Sequence, residues 1–128
     1  MTPFRLRARM ALAVGAAVAA TLALGFAADA HHSFGMFDNQ KNVTVTGVVK
    51  RYDFKMPHVW FFMTSEDAAA EEWGMEMGSP NLIVRKGWHI NSLKAGDKVT
   101  VVMHPMRDGS KAGSVVSVVL PDGKTLLN

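Results

Sequence analysis

The segment that most restricts what this chain can fold into is its amino-terminal end. Arg5, Arg7 and Arg9 precede an apolar run from Met10 to Ala28, which exits through Ala28-Asp29-Ala30. A basic start, an apolar middle and a small-x-small exit describe a secretory signal peptide, residues 1–30. Cleavage after Ala30 leaves residues 31–128 to fold, with His31 in front; a cut after Ala27 is the competing choice. The run is mostly alanine and contains Gly15, Thr21 and Gly25, and no basic cluster follows it. We therefore expect cleavage, with no stable membrane insertion afterwards. No Arg-Arg pair precedes the run, which points to the general secretory route and the periplasm.

Export raises the demands on what remains. The chain has no cysteine, so neither a disulfide nor a lipid-modified cysteine can hold it. A single small domain must then bury its core without covalent staples. The formal charge of the full chain is +3. Losing Arg5, Arg7, Arg9 and Asp29 with the signal leaves +1. A nearly neutral domain carries no electrostatic footprint for nucleic acid, and no nucleic-acid partner is expected.

The mature chain reads as mainly β. Residues 31–42 are polar, with Gly35, Asp38 and Asn39, and suit an extended or mobile arm. Val43 to Tyr52 reads as a strand: Val43-Thr44-Val45-Thr46 alternates, and β-branched residues suit a pleated surface. Gly47 inside it predicts a bulge or sharp bend. After Pro57, His58 to Thr64 is a second strand. Its run Trp60-Phe61-Phe62 predicts burial on both faces or cover by another element. An acidic connection leads to a third strand, Trp73 to Met77. Ser79-Pro80 predicts a helix start with Ser79 as cap, and Gly87 its end. Trp88, Ile90 and Leu93 are expected to return to the core, with Trp60 a second aromatic anchor. Lys98 to His104 and Gly113 to Leu120 complete five strands, joined by a hairpin loop at residues 107–110.

Three strands, a short helix and two strands is the element order of the OB-fold, a five-stranded Greek-key barrel. We expect residues 43–128 to form such an OB-like barrel, since closure removes most open strand edges. A small open sheet or sandwich of the same strands is the alternative. No repeat or second domain is visible.

Several segments carry a resemblance. His31-His32-Ser33-Phe34, Met56-Pro57-His58-Val59-Trp60, Gly78-Ser79-Pro80-Asn81, Gly87-Trp88 and Ser92 to Val99 together resemble a family of small exported bacterial proteins of unknown function. That family usually has Asn at the place of Met56. The resemblance implies export and a single small β domain, and it implies no activity.

Five histidines and nine methionines are the residues with most chemistry to offer. Imidazole suits copper and zinc, and thioether sulfur selects cuprous ion. A mature end at His31 would add a free amine to the imidazoles of His31 and His32. In Trp73-Gly74-Met75-Glu76-Met77, residues 73, 75 and 77 share one face of a strand, with steps of about 7 Å. This arrangement is similar to the copper- and silver-carrying periplasmic barrels of efflux systems, which use a His, a Met-x-Met pair and a capping Trp. The resemblance implies Met75 and Met77 as ligands and Trp73 as cap. Here Trp73 stands two residues before the first Met rather than three, and His58 or His104 would have to reach in from another strand. The candidate metal set is thus His31, His32, His58, Met75, Met77 and His104, with copper as its ion. The competing reading makes the Met pair core filler.

Enzymatic readings have less support. Ser33, Ser79 and Ser92 stand in no nucleophile motif. Gly74 and Gly78 flank a strand without the Lys of a phosphate loop. We expect a non-enzymatic binding protein. It binds either copper or, without metal, a small ligand, a peptide or an envelope protein.

Overall fold

Val43-Thr44-Val45-Thr46 alternates because successive side chains of a strand point to opposite faces. The computed structural model describes residues 35–128, whose folded unit runs from Met36 to Asn128. The signal segment, His31 and His32 lie outside the described residues. The first strand, β1 (Val43–Asp53), turns Val45 and Val49 into the core. Its first half pairs with β4 (Lys98–Pro105) and its second half with β2 (Trp60–Ser65), both antiparallel.

Gly47 stands where the two pairings meet, opposite Ser65 and Val99 at once. A Cβ there would come within 2.3 Å of the Thr64 carbonyl oxygen, so any other residue would force the strands apart. The register shift falls between Val49 and Arg51 instead. Gly47 is predicted to mark a bulge or sharp bend; in the structure it marks the close approach, and the bulge lies beyond it.

Next, β3 (Glu72–Glu76) pairs antiparallel with β2 and parallel with β5 (Ala112–Val119). The last of these pairs antiparallel with β4. The cycle β1-β2-β3-β5-β4 closes the sheet into the expected OB-like barrel. Between β3 and β4 lie one helical turn, α1 (Pro80–Ile83), and a 3₁₀ turn over residues 84–86. Gly87 ends them at φ 94°, a left-handed conformation costly for other residues. Ser79 caps with its backbone only: its carbonyl accepts from Leu82 and Ile83, and its side chain makes no cap bond.

A sixth strand, β6 (Thr125–Leu127), was not legible in the sequence. It pairs with residues 117–119 of β5, beyond residues 112–114 where β3 pairs. It thereby extends the sheet along the edge that β3 leaves. The end of the chain is tied in further. Trp88 Nε1 donates to the Leu127 carbonyl at 2.8 Å, and Asn128 Oδ1 accepts from Gly78 N–H at 2.8 Å.

The buried core comprises Val49, Phe61, Met63, Met75, Val99, Val101, Met103 and Val118 from the strands, with Ile83 and Trp88 from the connection between β3 and β4 in the same cluster. Each large apolar side chain buried there contributes about 1.5–3 kcal/mol relative to exposure. Ile90, expected in this core, is 66% exposed. The arm is tied down over its described part. Phe37 is buried and bridges to Met106, Asp38 N–H donates to the Pro105 carbonyl, and Arg107 N–H donates to that of Met36. No helix among the described residues is long and apolar enough to cross a membrane.

Candidate functional site

Strand parity decides which residues of β2 and β3 can meet a ligand. Trp73, Met75 and Met77 do share a face, but it is the interior of the barrel. Met75 is 0% and Met77 2% exposed. Trp73 packs against the core at its margin. Lys111 Nζ lies 5.2 Å from its ring centroid, and its buried indole N–H finds no acceptor among the described residues.

The two candidate imidazoles lie on the other side of the sheet. His58 precedes β2 and pairs through Nδ1 with Glu76 Oε1 at 2.5 Å. Glu76 sits between the inward Met75 and Met77 and therefore faces out. His104 follows the inward Met103 and donates from Nδ1 to the Lys41 carbonyl at 2.8 Å. The structure thus brings Met75 and Met77 together with Trp73 but brings neither histidine to them. No group of three or more His, Cys, Asp or Glu suited to a metal ion occurs among the described residues. His31 and His32 lie outside them.

Alternation instead assembles a different set on the outer face. Phe61 and Met63 take the inside of β2, so Trp60 and Phe62 point outward. The run read as buried on both faces is split, and Trp60 is a partly exposed surface ring rather than a core anchor. The Trp60 and Phe62 rings lie 6.2 Å apart at their centroids and 16° from parallel. Both lean over Gly74, the register partner of Phe62. A Cβ at Gly74 would stand 3.4 Å from Phe62 Cε1 and 3.6 Å from Trp60 Cζ3. Arg51, opposite Phe62 on β1, places its guanidinium 4.2 Å from the Phe62 centroid. Such a cation–π contact contributes about 0.5–1 kcal/mol at an exposed site.

Polar groups surround these rings in register. One row runs Asp53, Trp60, Glu76, Ser114, His104 across β1, β2, β3, β5 and β4. The next runs Arg51, Phe62, Gly74, Ala112. The permanent charges are matched locally, Arg51 with Asp53 at 3.0 Å and Lys50 with Glu72 at 3.4 Å, and Glu76 is held by the His58 ring. Chemically, this is a flat apolar centre inside a charge-compensated polar rim, able to hold a ring by stacking and its substituents by hydrogen bonds.

Sequence reasoning missed Arg51, Phe62, Gly74 and Glu76. The available signal was the parity of β3. Once Trp73, Met75 and Met77 are placed inside, Gly74 and Glu76 must face out.

Among curated proteins, none matches the chain. Among solved structures, a ZRD-deleted mutant of TiaS in complex with agmatine is similar at 19% identity and a TM-score of 0.46. The match covers 65% of this chain but 22% of that one, so the chain spans about a fifth of that protein's length. The family model of DUF6152, a family of unknown function, matches residues 18–115, most of the barrel included, and the chain belongs to that family.

Proposed function

We propose that the chain is an exported, non-enzymatic binding module whose outer β2–β3 face holds its ligand through a flat apolar contact. The observation that carries this reading is the near-parallel Trp60–Phe62 pair, leaning over Gly74 with Arg51 against it. The core has its own aromatic filling in Phe61 and Trp88, so these two rings are not needed to close the barrel. Partly exposed rings at the centre of a polar rim are the usual anchors of a contact surface. Covering them gains roughly 25 cal/mol per Å² of apolar surface removed from water.

The geometry favours this reading over copper held by Met75 and Met77. For that site the thioethers would have to leave the core, or His58 or His104 would have to cross the sheet. Copper at His31 and His32 is a separate proposal that depends on cleavage after Ala30, since the terminal amine would be one of its donors.

A protein-observed NMR screen of small ring-shaped fragments against the exported protein tests the face. Hits are expected to shift the Trp60 and Phe62 resonances and to be lost in Trp60→Ala. Hits that persist in that variant, or that map elsewhere, overturn the reading. Intact-mass measurement of the same periplasmic material should give a chain beginning at His31. A retained apolar segment in the membrane fraction would remove export and cleavage from the proposal.

A further inference from the structure

We infer that the occupant of this face is a neutral pyranose chain, a proposal that rests on the binding face described above. The apolar side of a pyranose ring is a set of axial C–H bonds, which stack on an aromatic surface. Trp60 offers such a surface, held 16° from parallel to Phe62 with centroids 6.2 Å apart, while Phe62 carries the Arg51 guanidinium 4.2 Å from its own centroid. Gly74 and Ala112 continue the row from Phe62 without bulk, so the strip beside the rings stays low.

Charge selects the ligand class. Both permanent cations flanking the rings already hold a carboxylate: Arg51 holds Asp53 and Lys50 holds Glu72. A phosphate backbone would have to displace those carboxylates and then lie beside them. It would gain little of the counterion release that drives nucleic-acid binding. A neutral polyol does not disturb the ion pairs. Its hydroxyls can donate to spare lone pairs of Asp53 and Glu76 and accept from unused guanidinium N–H groups of Arg51. The Ser114 hydroxyl, next to Glu76 in register, adds a further donor and acceptor.

The test is titration of the exported protein with N-acetylchitohexaose and with cellohexaose, both neutral and β-1,4-linked, followed by calorimetry and by NMR. Oligothymidylate and an uncharged extended peptide serve as alternative occupants. Saturable binding of either sugar is expected, with an affinity that does not change between low and high salt. Trp60→Ala should weaken it about tenfold or more, as loss of a central aromatic anchor does, with little change in melting temperature. Trp60→Leu should weaken it comparably, because it keeps an apolar group and loses the flat ring. Sugar binding that survives both substitutions, or no sugar binding at millimolar concentration, overturns the inference. Trp60-dependent binding of oligothymidylate or of the peptide instead would overturn the glycan assignment and leave the binding face standing. If none of these ligands, nor any fragment, engages the face in a Trp60-dependent way, both fall.

Discussion

The inner and outer faces of β2 and β3 use the same residue classes for opposite purposes. Inside, Phe61, Met63, Met75 and Met77 are fully or almost fully buried. Outside, Trp60, Phe62, Gly74 and Glu76 stand one residue away along the same strands. Methionine thioethers are good cuprous ligands, yet here they occupy the place where only packing is asked of them. Aromatic rings are good core fillers, yet two of them occupy the place where a partner can touch them. A residue's chemistry is thus a weaker guide to its role than the parity of its position, because a one-residue shift moves a side chain from core to solvent.

The sharpest way to break this comparison is to truncate adjacent rings on opposite faces. Phe61→Ala opens a cavity in a closed barrel and should cost about 3–5 kcal/mol in urea unfolding. That is a large share of the stability of a small domain. Phe62→Ala removes a partly exposed ring and should cost less than about 1 kcal/mol. Phe61→Leu, with a smaller loss, keeps the measurement possible if the alanine variant does not fold. Equal costs at the two positions would mean that Phe62 is as buried as Phe61, and the contact face would be lost with the comparison.

A smaller effect is expected from the double substitution Met75→Leu with Met77→Leu. Leucine conserves volume and apolarity, so each swap should cost less than about 1.5 kcal/mol. Because both thioethers face the core, cuprous affinity of the folded protein should stay as it was, measured by competition titration at neutral pH. A steep fall in affinity with an unchanged melting temperature would show that the sulfurs do reach an ion, and the inner face would have a second role.

These contrasts also mark what was legible in the sequence. Local signals place the five barrel strands within one or two residues, because alternation, Gly47 and the Ser79-Pro80 start each act over a few neighbours. Closure could be inferred only from element order; the parallel β3–β5 pairing that achieves it joins residues far apart in sequence. The strand β6 was missed because three residues after a turn carry no period of their own. Ile90 was misplaced because an apolar residue after a helical turn is no evidence of direction. The candidate site was half legible. The shared face of Trp73, Met75 and Met77 followed from parity, but which side of the sheet that face was on depends on how the barrel curls. Arg51 was hidden for a related reason: the register shift after Val49 sets which residue of β1 meets Phe62.

The smallest predicted effect concerns the contact between Arg51 and Phe62, and it asks whether the outer face is organised or merely exposed. Arg51 meets both the Phe62 ring at 4.2 Å and Asp53 at 3.0 Å. Single truncation of Arg51 removes both contacts, so it cannot separate them. A double-mutant cycle of Arg51→Ala and Phe62→Ala isolates the ring contact, since the Asp53 term cancels along parallel edges. We expect a coupling of about 0.5–1 kcal/mol, the size of an exposed cation–π pair. The ion pair with Asp53 should weaken as salt is added, while the ring contact should change less, because salt screens charge–charge attraction between exposed groups most strongly. A coupling that persists in high salt would show that the guanidinium is held against the ring for its own sake. A coupling of zero would mean that Asp53 alone positions Arg51, and that Phe62 is free to take a different partner on its exposed side.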